Sequence, residues 1–149
     1  MNLAPSEEQK IKKYAQEQIE MTKKIFNVDI HGDEKSILAL DAIIEQGWGA
    51  KPPNNLEHAI IFFGSFFGEA LMTTFAKLGY IGVWTRNEGV SDWPVLQYDI
   101  PQKGPCFFNP FGKIQKRFMN GMEDSISYYY QCLKNGLATN FDVPELKKQ

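Results

Sequence analysis

A glutamate on an apolar segment is the residue of this sequence best placed to do chemistry. Glu69 directly follows Gly64 and Gly68, which lie four residues apart in a run predicted to be helical. A buried glutamate needs a cationic partner because an unpaired buried charge is costly, and Lys116 or Arg117 could supply it. Such a group could act as an acid or hold a ligand. The alternatives are a structural ion pair and a partly exposed glutamate.

The two glycines also indicate close packing. A glycine inside a helix costs about 1 kcal/mol relative to alanine, so a pair of them predicts the close approach of another backbone. Ser65, Glu69, Thr73 and Lys77 recur at steps of four residues and form a polar arc beside the glycines. Glu69 is therefore predicted to lie at the rim of the core. This position favours a packing role for the glycines over a buried catalytic acid.

The remaining reactive side chains form no recognisable catalytic or metal-binding pattern. His31 and His58 lie in different segments, and a structural or surface role is favoured for both. Ser65 lies within a helix and lacks the G-x-S-x-G spacing of a nucleophile elbow. Cys106 and Cys132 do not have the spacing of metal ligands. Because no glycine-rich phosphate-binding motif is present either, the sequence predicts no cofactor and no metal.

A tryptophan-rich hairpin is the second candidate site. Trp84 and Trp93 flank a turn-rich region that also carries Arg86 and Asp92. Tryptophan and arginine are frequent anchors of protein interfaces, which favours a binding surface on this hairpin. The alternative is that both tryptophans pack in the core between the sheet and the helices.

The order of several short motifs resembles a protein family. The motifs are, in order, Gly64 to Glu69, Trp84, Pro94-Val95-Leu96, Asn109-Pro110-Phe111, Lys116-Arg117 and Gly121. Over about residues 7–130 this order is similar to a family of small bacterial proteins of unknown function, with a glycine-rich helix, a tryptophan strand and a Pro…Lys-Arg…Gly helix. The resemblance implies a cytoplasmic bacterial protein without an established activity. The chain departs from the family in its aromatic end, Tyr128-Tyr129-Tyr130.

Composition and charge exclude several classes of protein. The 149 residues carry a formal net charge of −2 at a sequence pI of about 5.7, unlike the basic face of a nucleic-acid binder. The longest apolar run, 59–68, is too short to span a bilayer, and the first residues do not have the pattern of a signal peptide. The two cysteines indicate reduced thiols. We therefore expect a cytoplasmic protein without nucleic-acid or membrane partners.

Periodicity and turn signals predict a single α+β domain over residues 1–149, with loose termini at 1–5 and about 138–149. Three helices come first, and Ser6 is predicted to cap the first of them in a capping box. A small antiparallel sheet of about three strands and one or two closing helices follow, with helices packed on one sheet face. The predicted helices cover 6–27, 33–46, 54–78, 110–120 and 123–135, and the predicted strands cover 80–85, 93–98 and 105–108.

Two functions of different classes fit these features. The leading hypothesis is a non-catalytic module that binds another protein, such as an immunity or antitoxin-like inhibitor, because the chain lacks a catalytic constellation and carries an aromatic hairpin. The alternative is a small-ligand binder or enzyme in which Glu69 converges with Lys116 or Arg117. A structural subunit of a larger assembly is a third hypothesis, and a homodimer stays open.

Overall fold

Three α-helices open the fold, and a three-stranded sheet and two further helices follow. A computed structural model describes residues 1–139, so most of the tail predicted to be loose lies outside the described residues. The elements are α1 (Pro5–Phe26), α2 (Glu34–Trp48), α3 (Leu56–Ala76), β1 (Val83–Thr85), β2 (Val95–Ile100), β3 (Gly104–Phe108), α4 (Pro110–Asn120) and α5 (Ile126–Ala138). A short 3-10 helix, Gly121–Asp124, separates α4 from α5. The predicted α+β arrangement is confirmed.

Polar side chains cap the helices that follow α1. Asp33 accepts a hydrogen bond from the backbone N–H of Ser36 at 2.9 Å and starts α2. Asn109 accepts from the backbone N–H of Gly112 at 3.0 Å and starts α4. The cap of α3 is Asn55, whereas the predicted helix began at residue 54. Each cap satisfies a backbone N–H that has no partner within its own helix.

Two further helix starts differ from the prediction. α1 begins at Pro5 and has no side-chain cap bond, so the predicted capping box at Ser6 is absent. Proline has a helical φ angle and no N–H to satisfy, which explains why the helix starts one residue earlier. α5 begins at Ile126, after its N-cap Ser125, three residues later than predicted.

The sheet is antiparallel with the strand order β1-β2-β3. Trp84 of β1 pairs with Leu96 of β2, which in turn pairs with Phe108 of β3. Residues 1–3, expected to be loose, instead run beside β1, where Asn2 forms a bridge and the neighbouring backbone groups donate and accept hydrogen bonds. The N-terminal segment therefore covers the end of the outer edge of the sheet.

α3 is the central helix of the core. It is long and apolar enough to cross a membrane, but 72% of its most apolar 18-residue window is buried inside the protein. α1 packs on one side of this helix and α4 on another. Burial of this extent is typical of a core helix, and it includes most of the apolar run at 59–68.

The two glycines of α3 make room for side chains of β1 and α4. A Cβ atom at Gly64 would lie 3.0 Å or less from three atoms of the Phe111 ring. A Cβ atom at Gly68 would lie nearer than 3.0 Å to two ring atoms of Trp84 and 3.3 Å from Pro110. The prediction that another backbone approaches these glycines was wrong, because side chains lie there instead. The glycines let aromatic rings rest directly on the helix surface.

Candidate functional site

Arg117 binds carboxylates of α2 and not Glu69, for which the sequence offered Lys116 or Arg117 as the cationic partner. Its side chain is 1% exposed, and its Nε donates to Oδ1 of Asp41 at 2.7 Å. Its Nη2 donates to Oε1 of Glu45 at 2.8 Å. Asp41 also accepts from the backbone N–H of Ile126 at 3.1 Å, which ties the start of α5 to α2. Arg117 therefore links α4 to α2, and through Asp41 the same network reaches α5.

Hydrogen bonds stabilise the charged form of Asp41 despite its burial. Burial alone raises the pKa of a carboxyl group because it disfavours the charged form. Here the donors outweigh burial, so the pKa of Asp41 lies below its usual value of 3.8. These donors are the backbone N–H groups of Ser127 and Ile126, the guanidinium of Arg117 and the hydroxyl of Ser125. The opposite charges of this network are paired and hydrogen-bonded, so they can be buried, and their role is structural.

Glu69 has a structural partner of its own. Its Oε2 accepts a hydrogen bond from Nε1 of Trp84 at 3.0 Å. Trp84 is 3% exposed and packs with its ring centroid 5.7 Å from that of Phe111. The indole is thus a core side chain whose one polar atom is satisfied by Glu69. Glu69 itself is half-buried, in keeping with a position at the rim of the core.

Lys116 lies at a separate cavity between α4 and α5. This cavity has a volume of about 530 Å³ and also contains Lys113 and Asp124, whose Nζ and Oδ1 atoms are 3.1 Å apart. Lys116, Arg117 and Glu69 therefore occupy three different environments. The structure does not bring Glu69 together with Lys116 or Arg117, as the alternative hypothesis of a ligand or enzyme site requires, because Arg117 is held by α2 and Glu69 by an indole.

Three of the predicted binding residues line one groove. Arg86, Asp92 and Trp93 border a cavity of about 550 Å³ between α1, α3, α4 and the β1–β2 connection. We call this cavity the hairpin groove. Its other lining residues are Glu7, Lys10, Ile11, Tyr14, Ile61, Ser65, Pro94 and Phe111. The hairpin thus places three of its four predicted residues on one surface, whereas Trp84 packs in the core.

Packing on a glycine determines the position of the aromatic wall of the hairpin groove. Phe111 is 3% exposed and its ring lies against Gly64. Trp93 stacks on Phe111, with ring centroids 5.6 Å apart and an angle of 17° between the planes. Trp93 is half-buried, so part of its indole faces the groove. The close approach of α3 and α4 therefore positions the tryptophan of the groove.

The rim of the hairpin groove carries charges of both signs. Nε and Nη2 of Arg86 donate to the same Oε2 atom of Glu7, at 3.2 and 2.9 Å. Lys10 and Asp92 are exposed beside this pair. An exposed ion pair contributes only about 0–1 kcal/mol to stability. Glu7 and Arg86 can therefore separate and pair with the charges of a bound molecule at little cost.

A hydroxyl group lies at the floor of the hairpin groove. Ser65 is 0% exposed, and its Oγ has no hydrogen-bond partner among the described residues. A serine in a helix can donate to the carbonyl group four residues earlier, here that of Ile61, but this bond is not made. A buried hydroxyl without a partner is unfavourable, so Ser65 is a local cost of the packing beneath the groove.

Sequence reasoning missed the contribution of α1 to this groove. Glu7, Ile11 and Tyr14 line it from one face of α1, at the spacing i, i+4 and i+7. That spacing was visible in the sequence, but it marks the inner face of any amphipathic helix. Only the packing of α1 on α3 shows that part of this face borders a groove.

Within residues 1–139, no group of three or more His, Cys, Asp or Glu side chains could hold a metal ion. No protein-family model, no curated protein and no solved structure matches the chain. The resemblance to a bacterial family therefore stays a prediction from the order of the motifs.

Proposed function

We propose that this protein is a non-catalytic binding module whose hairpin groove receives a segment of another protein. The observation that carries the proposal is the joint placement of Trp93 and Arg86 on one concave surface of about 550 Å³. Tryptophan and arginine are the side chains that most often dominate the energy of protein interfaces. An aromatic centre surrounded by a charged rim is also the usual arrangement of such an interface.

The charge of the rim favours a protein over a nucleic acid as the partner. Two basic groups, Lys10 and Arg86, and two acidic groups, Glu7 and Asp92, line the groove. A phosphate backbone would be repelled by the two carboxylates, since nucleic-acid binders concentrate positive charge on one face. A protein segment with charges of both signs fits this rim, and matched charges also accelerate association.

The biological form that we propose is an immunity or antitoxin-like inhibitor that covers the active site of a bacterial enzyme. Such an inhibitor needs an interface and no reaction centre, which agrees with the structural use of Arg117 and Glu69. Both cysteines are free thiols in the structure, which agrees with the cytoplasm as the place of action.

Comparative capture from the native cell tests this proposal. The full chain serves as bait beside Trp93→Ala and Arg86→Glu, and Tyr128→Ala is the control because this exposed aromatic lies outside the groove. We expect one protein to be retained by the wild type and by the control, and lost from both groove variants. Purified partner and wild type should then form a complex, and the partner's enzymatic activity should fall on binding.

Two results would contradict the proposal. Equal retention by all four baits would place the interface outside the groove, and retention by none would remove the evidence for a protein partner. The mass of the pure chain in solution is measured alongside, since a homodimer that is broken by Trp93→Ala would make the groove a contact between two copies.

A further inference from the structure

A second concave site lies away from the hairpin groove, between the end of α1, the end of α2 and the start of α3. We call it the aromatic pocket. Its volume is about 190 Å³, and the half-buried side chains that line it are Met21, Phe26, Trp48 and Pro53. None of its lining residues belongs to the hairpin groove, so it is a separate site that the proposed function does not use.

Core contacts hold the aromatic walls of this pocket in place. Phe26 lies against Gly47, where a Cβ atom would be 2.9 Å from Cζ of the ring. The ring centroids of Trp48 and Phe63 are 5.7 Å apart with an angle of 83° between the planes. Phe118 packs on Trp48 in the same edge-to-face manner, at 5.4 Å. The walls are thus preformed, as in most pockets that bind small molecules.

The pocket offers few hydrogen-bond partners to water. Its polar lining side chains are those of Gln18, Asn55 and His58. Nε2 of Gln18 donates to Oγ1 of Thr22 at 2.9 Å, and Oδ1 of Asn55 accepts from the backbone N–H of His58 at 3.1 Å. The imidazole of His58 packs on Phe62, with ring centroids 4.2 Å apart. A buried water needs about two to four polar partners, so an apolar group that displaces water from this pocket gains affinity.

Charge and volume restrict the class of ligand. None of the described residues that line the pocket is Asp, Glu, Lys or Arg, so a charged group would lie there unpaired. Pockets for drug-sized molecules have volumes of about 300–1,000 Å³, whereas an apolar cavity of about 150 Å³ holds one benzene ring. The volume of about 190 Å³ therefore fits a single ring with a small substituent.

We propose that the aromatic pocket binds an uncharged molecule with one aromatic ring, of the phenol class. The rings of Phe26 and Trp48 favour an aromatic ligand over a saturated ring of the same size, because aromatic pairs attract each other beyond the effect of burial. Asn55 and His58 are the exposed polar residues of the pocket and can exchange hydrogen bonds with a hydroxyl substituent. The proposal does not depend on the proposed function, since the two sites share no residue.

Titration of the ¹⁵N-labelled full chain with phenol, followed by NMR, tests this inference. The matched probes are cyclohexanol, which has a saturated ring, 2-naphthol, which has two rings, and benzoate, which is charged. We expect phenol to shift the indole N–H of Trp48 and the backbone amide of Ala59, and to leave the indole N–H of Trp93 unchanged. Phenol should bind about fivefold more tightly than cyclohexanol, the effect of one or two aromatic contacts. The affinities for 2-naphthol and benzoate should be lower than that for phenol.

Two variants of the pocket and one control complete the test. Ala59 is a buried lining residue, so Ala59→Leu places a larger side chain in the pocket and should abolish phenol binding. Ala76→Leu adds the same atoms at an exposed position of the same helix and should bind phenol as the wild type does. Ile25→Asp places a charge at the pocket and should weaken phenol binding; Ile25 is 68% exposed, so this variant should fold even if Ala59→Leu does not.

Several outcomes would overturn the inference. These are no saturable binding of phenol at millimolar concentrations, equal affinity for phenol and cyclohexanol, tighter binding of 2-naphthol or benzoate, and shifts centred on another surface. Unchanged phenol binding by the folded pocket variants would also place the site elsewhere. The proposed function has a separate readout, since the capture experiment with Trp93→Ala and Arg86→Glu does not involve this pocket.

Discussion

The contact between Gly64 and Phe111 yields a prediction about both stability and the hairpin groove. In a Gly64→Ala variant the new Cβ would lie 3.0 Å or less from three atoms of the Phe111 ring. Phe111 is 3% exposed and stacks on Trp93, so its ring cannot turn away into solvent. The ring or the whole of α4 must therefore move.

Two opposing terms determine the size of the effect. Forcing one extra carbon into a packed core costs about 1–3 kcal/mol. Alanine gains about 1 kcal/mol over glycine in a helix interior. We expect a net loss of about 1 kcal/mol in the free energy of unfolding, which corresponds to a fall of about 2–4 °C in the melting temperature for a chain of this size.

Urea unfolding followed by circular dichroism measures this loss, with Gly32→Ala as the matched control. A Cβ at Gly32 would lie 3.6 Å from Thr73, which is an ordinary contact, so the control should be neutral or more stable by about 0.4–1 kcal/mol. Combining Gly64→Ala with Phe111→Leu removes the clashing ring, and the double variant should be more stable than the sum of the two single effects. A Gly64→Ala protein as stable as the wild type, or additive effects in the double variant, would refute the packing argument.

Three further predictions concern the buried charges. Asp41→Asn should destabilise the fold by about 3–5 kcal/mol in urea unfolding, because it leaves Arg117 without its main buried partner. Asp29→Asn removes the exposed partner of Lys23 and should cost under about 1 kcal/mol. Equal losses of stability in Asp29→Asn and Asp41→Asn would contradict burial as the cause. The pKa of Asp41 is lowered in the folded state, so the stability that its charge contributes is complete above about pH 5 and is lost as the pH falls through 3.8 and below. Below about pH 5, the stability of Asp41→Asn should therefore depend less on pH than that of the wild type. Glu69→Gln should change stability by under about 0.5 kcal/mol, since an amide oxygen still accepts from the indole of Trp84, and a large loss would show that the charge itself is required.

The order and type of the elements could be predicted because their signals are local. The apolar first half of α3 predicts a buried helix, and Asn109 followed by Pro110 predicts the start of α4 within one turn. The error at Ser6 came from a competing local signal, since Pro5 starts the helix without a side-chain cap. Local signals thus give the elements and leave their exact starts to neighbouring residues.

The pairing of distant residues could not be predicted in the same way. Arg117 bonds Asp41 across 76 positions of sequence, and no spacing rule connects an arginine on α4 with an aspartate on α2. The sequence instead offered Lys116 or Arg117 as a partner for Glu69, the carboxylate that stood out in an apolar run. Glu69 stands out because it satisfies the indole of Trp84, which is a packing requirement of β1 on α3.

The hairpin groove shows why a site on a packed core is only partly readable from sequence. Arg86, Asp92 and Trp93 are close in sequence, so their shared surface could be inferred from the hairpin. The opposite wall comes from α1 and further lining residues come from α3, and both depend on how three helices meet. The sequence of the hairpin alone therefore does not predict how deep the groove is.

One aromatic ring belongs to both the core and the groove, and this sharing has a consequence for variation. Phe111 contacts Gly64 of the core and stacks on Trp93 of the groove. A substitution at the fully buried Gly64 must therefore move a groove residue that it does not touch. We expect changes at this glycine to alter both stability and binding, whereas changes at exposed Asp92 should alter binding alone. Gly64→Ala could instead lower stability and leave the affinity for a groove ligand intact. In that case β2, and not the α3–α4 contact, would determine the position of Trp93.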